Sequence, residues 1–138
     1  MKLVMPQEIE VWYILPAIRK EIAKIMINDF NLSQRKAAKI LGVTEAAISQ
    51  YLHKKRAKNV DFDKNAMSLI KESTNKIVKN NKELLNELYK LSDYMKHSEL
   101  LCQIHKTYDQ SVPNSCDICF RSIVNNNNYY HQFNAHIR

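Results

Sequence analysis

The feature that most limits the fold of this chain is its shortage of glycine. A single glycine, Gly42, occurs among 138 residues. P-loop and dinucleotide-binding folds hold phosphate with several glycines at fixed offsets, so the sequence excludes both classes. Hairpin-rich β proteins need many turn residues with positive φ, which one glycine cannot supply. Lys, Leu, Ile, Ala and Glu are abundant, and we therefore predict an all-α fold.

The residues around this glycine have the pattern of a helix-turn-helix. Ser33 can cap a helix that runs to Leu41, and Gly42 can end it in a left-handed conformation. Thr44 can then cap a second helix that ends near Lys54. A helix, a short turn containing glycine and a second helix form the helix-turn-helix motif, so the sequence predicts that motif here.

A longer helix is predicted ahead of the motif, from Met5 to Phe30. Its apolar residues recur on one face and include Ile18, Ile22, Ile25 and Met26. Pro16 either kinks this helix or begins its main part. The run from Trp12 to Leu15 is too apolar to be left in water, so we expect it in the core or at a dimer contact.

The positive charge of the chain is concentrated in the predicted motif. The formal net charge is +7, and residues 33–58 contain seven basic residues and one acidic residue. Such a basic motif predicts DNA as the partner. Gln50 suits a bidentate contact to adenine, and the basic residues after His53 suit phosphates. The residues expected to contact DNA are Gln34, Arg35, Thr44, Glu45, Ala46, Ser49, Gln50, His53, Lys54, Lys55, Arg56 and Lys58.

Two further helices, predicted over 64–80 and 82–96, carry narrow apolar stripes. The stripe residues are Met67, Ile70, Thr74, Ile77, Leu84, Leu88, Leu91 and Met95. Their steps of three and four are typical of a coiled-coil seam. Because so thin a stripe cannot hold two helices folded alone, it closes on a second copy or on the N-terminal unit. We favour a homodimer, since two-fold helix-turn-helix proteins read half-sites about 34 Å apart.

Three cysteines and a histidine near the C-terminus have the spacing of a metal site. Cys102 and His105 are three residues apart, and Cys116 and Cys119 form a CxxC pair. Three thiolates and one imidazole complete a tetrahedral zinc site. An iron–sulfur redox sensor, a redox-active CxxC and simple buried cysteines are the alternatives. We expect a metal here to support the geometry of the dimer.

The segments VWYILPAIRKEIAK and LSQRKAAKILGVTEAAISQYLHKKR, followed by the late cysteines, resemble a family of small archaeal transcription regulators. These regulators have an N-terminal helix-turn-helix of the Cro and lambda-repressor type, called XRE. The resemblance covers residues 8–56 well and the cysteine region loosely, and it implies operator binding as a homodimer. The family usually has a second cysteine where this chain has His105, a departure that favours zinc over an iron–sulfur cluster.

The predicted protein is a DNA-binding transcription regulator without enzymatic activity. Its predicted parts are a helix-turn-helix domain at 1–60, a helical dimerisation region at 61–99, and a metal knuckle with a tail at 100–138. The sequence has no Ser-His or paired-carboxylate constellation, and a four-ligand zinc site has no open position for substrate. No apolar run approaches the ~20 residues of a membrane span and no signal-peptide core is present, so we expect a cytoplasmic protein. The alternative is a metal- or redox-sensing interaction protein whose helix-turn-helix binds protein instead of DNA.

Overall fold

The computed structural model describes residues 3–53 and 60–119, and this part of the chain is all-α, as predicted. Its elements are α1 (Pro6–Ile9), a π-helical segment (Glu10–Ile14), α2 (Leu15–Asn28), α3 (Gln34–Leu41), α4 (Glu45–Leu52), α5 (Lys64–Lys79), a 3-10 turn (Asn81–Glu83), α6 (Leu84–His97) and α7 (Leu100–Tyr108). None of these helices combines the length and the apolar character that crossing a membrane requires.

The first three elements follow one another with helical backbone angles throughout, and the π-helical segment lies just before Pro16. Proline has no N–H to donate, and its ring crowds the carbonyl four residues earlier, which here belongs to Trp12. The wider π turns accommodate that defect. Pro16 is the second residue of α2, so it begins the main part of the predicted helix. Ile14 is fully buried, whereas Trp12 is 48% exposed.

Helix α2 lies at the centre of the fold and packs against α3, α4, α5 and α6. Its inward side chains Ile18, Ile22 and Met26 are fully buried. They belong to one hydrophobic cluster with Ile48 of α4 and Ile70 of α5. The α3–α4 unit and the helices that follow it therefore share a core.

The apolar stripe of α5 and α6 is buried by other helices of the same chain. Ile70, Thr74, Ile77 and Met95 are fully buried, and Leu91 is 3% exposed. Both helices pack against α2 and against each other. Of the two partners predicted for this stripe, the structure shows the N-terminal unit, because α2 presents enough apolar surface to cover it. The stripe is thus covered within the chain, and the homodimer stays a prediction.

Candidate functional site

Helices α3 and α4 are joined by a tight turn with side-chain caps at both N-termini. The Ser33 hydroxyl accepts a hydrogen bond of 3.1 Å from the backbone N–H of Lys36. The Thr44 hydroxyl accepts one of 3.0 Å from the backbone N–H of Ala47. Gly42 ends α3 with φ +67° and ψ 32°, a left-handed conformation that costs glycine least. These local signals fix where the two helices begin and end.

The two helices divide their residues cleanly between core and solvent. Ala37, Ala38, Ile48 and Tyr51 are buried against the rest of the fold. Seven of the residues predicted to contact DNA are exposed, namely Gln34, Arg35, Thr44, Glu45, Ala46, Gln50 and His53, and Ser49 is half-buried. The structure therefore leaves these predicted residues accessible on α3, α4 and their flanks.

Helix α3 also exposes two lysines that the predicted contact set did not include. Lys36 and Lys39 are exposed, as is Arg35. Within residues 3–53 and 60–119, none of these three cations takes part in an ion pair. Their contribution to the local charge was the signal that could have identified them.

His53 follows the last residue of α4 and is held by that helix. Its Nδ1 lies 2.7 Å from the backbone oxygen of Ser49. Because a carbonyl oxygen only accepts, Nδ1 carries the proton and the neutral ring keeps Nε2 as an acceptor. The four predicted phosphate contacts Lys54, Lys55, Arg56 and Lys58 lie outside the described residues.

The three cysteines converge at the other end of the chain. Cys102 lies on α7, and Cys116 and Cys119 lie on the segment that follows it. Together with His105 they line a cavity of about 390 Å³. Burial raises the pKa of the Cys119 thiol to about 11, with further contributions from the nearby Cys102 thiol and the hydrogen bond between the two. Cys119 is therefore held as a neutral thiol.

His105 and Asp109 hold the N-terminal segment against α7. His105 donates from Nε2 to the backbone oxygen of Val4, and the backbone N–H of Val4 donates to the Asp109 carboxylate at 3.0 Å. The Asp109 carboxylate also accepts from the backbone and hydroxyl of Ser111. These bonds, led by the one from the Ser111 hydroxyl, lower the pKa of Asp109. We call the His105–Val4–Asp109 contacts the N-terminal clamp.

The four predicted metal ligands thus line one cavity, and their donor chemistry suits zinc. With Nε2 donating to Val4, the neutral His105 ring has its lone pair on Nδ1, as in histidine ligands held by a backbone carbonyl. In the described part of the chain, however, no group of three or more His, Cys, Asp or Glu side chains is arranged to hold a metal ion. The residues are brought together without forming a coordination shell.

The N-terminal clamp is a structural feature beside the cysteine cavity that the sequence did not reveal. Val4 and Asp109 are 105 positions apart, and no local pattern connects residues at that separation. The clamp places Leu3, Val4 and Met5 in the wall of the cysteine cavity.

Comparison of the chain with protein-family models, with curated proteins and with solved structures finds no significant match.

Proposed function

We propose that this chain is a DNA-binding transcription regulator whose DNA contacts come from the exposed side of α3 and α4. The supporting observation is the outward placement of the predicted contact residues beside three cations on α3 that form no ion pair with any residue in 3–53 or 60–119. We call this surface the α3–α4 face, which comprises Gln34, Arg35, Lys36, Lys39, Glu45, Ala46, Ser49 and Gln50.

Helix α4 has the size and the exposed residues of a recognition helix. It contains eight residues and is therefore about 12 Å long, and the major groove of B-DNA is wide enough to admit an α-helix. Ala46 and Gln50 lie one turn apart and are both exposed. Gln50 can make a bidentate contact to adenine, and the methyl group of Ala46 can touch that of thymine.

The cations on α3 add affinity that does not depend on base sequence. Arg35, Lys36 and Lys39 lie on one short helix next to α4, so they can contact phosphates while α4 faces the bases. Since none of the three has an ion pair within the described residues, phosphate binding does not have to break one.

Binding of duplex DNA at several salt concentrations tests this proposal. The logarithm of the affinity should fall linearly with the logarithm of salt concentration. Replacing Arg35, Lys36 and Lys39 together with alanine should make that slope shallower by about 3. The matched control replaces Lys71, Lys79 and Lys82, which are also exposed but lie on α5 and the turn after it. The control should leave the slope unchanged.

Weak DNA binding with little salt dependence in the unmodified chain would contradict the proposal. That outcome would favour the alternative in which the α3–α4 face binds a protein. An equal loss of slope in the control variant would also contradict it, since the effect would then reflect total charge. The homodimer belongs to the same proposal, because a two-fold operator needs two copies of α4 about 34 Å apart.

For the cysteine cavity we propose zinc as the bound metal, with Cys102, His105, Cys116 and Cys119 as its ligands. Protein purified without air should be colourless and contain one zinc per chain, because three thiolates and an imidazole complete its coordination. Cys116→Ala should lose most of the metal, whereas Ser115→Ala, one residue away, should retain it. A brown protein containing iron and acid-labile sulfide would contradict zinc and favour the iron–sulfur alternative.

A further inference from the structure

The α3–α4 face contains one acidic side chain among its cations. Of the eight residues that define the face, three are basic and only Glu45 is acidic. Glu45 is the first residue of α4, directly after the Thr44 cap, and it is exposed. Within residues 3–53 and 60–119, its carboxylate takes part in no ion pair. On a surface that bound only phosphates, such a carboxylate would lower the affinity, because like charges repel.

The base edges in the major groove differ in how they receive a carboxylate. The first residues of a recognition helix contact these edges, and Glu45 is at that end of α4. Cytosine presents the N4 amino group, which donates, whereas guanine presents O6 and N7 and thymine presents O4, which only accept. Adenine presents an amino group beside the N7 acceptor, a pattern that suits an amide better than a carboxylate. Cytosine is therefore the base that fits Glu45.

We propose that Glu45 recognises a cytosine in the DNA site by accepting a hydrogen bond from its N4 amino group. This inference rests on the proposed function, because it names the base that one residue of the α3–α4 face reads. Gln50 and Ala46 suit adenine and thymine. Glu45 adds to them the recognition of a C·G pair, which explains an acidic side chain on a basic surface.

Glu45 also suits a structural role that the experiment must separate from base recognition. A carboxylate in the first turn of a helix interacts favourably with the N-terminal end of the helix dipole. That interaction stabilises α4 equally on every DNA sequence. A hydrogen bond to cytosine instead changes which sequences the chain prefers, so the measurement is the preferred base and not the affinity alone.

Selection of bound duplexes from a random-sequence pool, with the full-length chain, tests the inference. The unmodified chain should enrich cytosine at one position, and replacing that C·G pair with A·T should lower the affinity about tenfold. Glu45→Gln should change the preferred base at this position from cytosine to adenine, because an amide can pair with both N6 and N7 of adenine. Glu45→Ala should show no preference there. Circular dichroism of both variants checks that they fold.

Glu72→Gln is the matched control, because it removes the same charge from an exposed position on α5 and should keep the cytosine preference. If no cytosine is enriched, or if both Glu45 variants select the same sequences as the unmodified chain, Glu45 reads no cytosine and the inference is wrong. DNA binding that still depends on salt would then leave the proposed function standing. Weak binding with little salt dependence would overturn the proposed function and this inference together.

Discussion

Replacement of Ile70 by alanine is expected to lower the free energy of unfolding by about 2–5 kcal/mol. Ile70 lies on α5 and is fully buried in the hydrophobic cluster that also contains Ile22 of α2 and Ile48 of α4. Removing its side chain leaves a cavity in a core that both halves of the described chain share. The α3–α4 unit should therefore lose stability together with α5 and α6.

Chemical denaturation with two probes measures this effect. Trp12 is the only tryptophan and reports on the N-terminal helix by fluorescence, while circular dichroism reports on all helices. In Ile70→Ala, both transitions should move to the same lower midpoint. Leu85→Ala is the matched control, because Leu85 on α6 is 79% exposed and its loss should change stability by less than about 0.5 kcal/mol. A fluorescence midpoint that stays at its original value would show two independent units.

The sequence could not predict that α2, α4 and α5 share one core. The physical reason is that the apolar stripe of α5 and α6 does not specify its partner. Residues such as Ile70, Ile77 and Met95 show by their spacing that one face is buried, but the spacing is the same for any apolar partner. The partner depends on how the chain folds back on itself. In the structure, α2 occupies that face, so the surface favoured for dimerisation is used within one chain.

The α3–α4 unit was predictable because its determinants are local. Ser33 and Thr44 cap helices through hydrogen bonds that span three residues, and Gly42 adopts positive φ at the turn. The sequence placed the end of α4 near Lys54, and in the structure the helix ends at Leu52 with His53 as its C-terminal cap. His53 bonds back to the Ser49 carbonyl, a side-chain preference that periodicity does not express.

The cysteine cavity could be predicted only in part, unlike the α3–α4 unit, which was predictable, and the partner of the α5–α6 stripe, which was not. Ligand-like spacing was enough to predict that Cys102, Cys116 and Cys119 come together, and they line one cavity. The spacing could not predict that the thiols of Cys119 and Cys102 would hydrogen-bond to each other. It also could not predict that His105 would donate a hydrogen bond to the backbone oxygen of Val4. Both contacts depend on how the segment after α7 and the N-terminal segment meet, which is set by tertiary packing.

Glu87→Ala is expected to lower the free energy of unfolding by about 1.5–3 kcal/mol. Glu87 lies on α6 and is 3% exposed. Its carboxylate accepts a hydrogen bond of 2.8 Å from the hydroxyl of Ser73 on α5, and Ser73 is itself 5% exposed. Lys90 and Lys76 place their ammonium groups 3.5 Å and 3.9 Å from the same carboxylate. Truncation leaves the buried Ser73 hydroxyl without its acceptor, at the contact that joins α5 to α6.

Two comparisons separate the buried hydrogen bond from simple loss of charge. Glu72→Ala also removes a carboxylate that pairs with Lys76, at 3.6 Å, but its side chain is 64% exposed, so its expected cost is below about 0.5 kcal/mol. Glu87→Gln keeps an acceptor for Ser73 and should recover part of the stability lost in Glu87→Ala. If Glu87→Ala and Glu72→Ala have equal midpoints in urea, the hydrogen bond to Ser73 contributes nothing. A large loss in Glu87→Ala alone would show that the α5–α6 contact depends on this buried carboxylate.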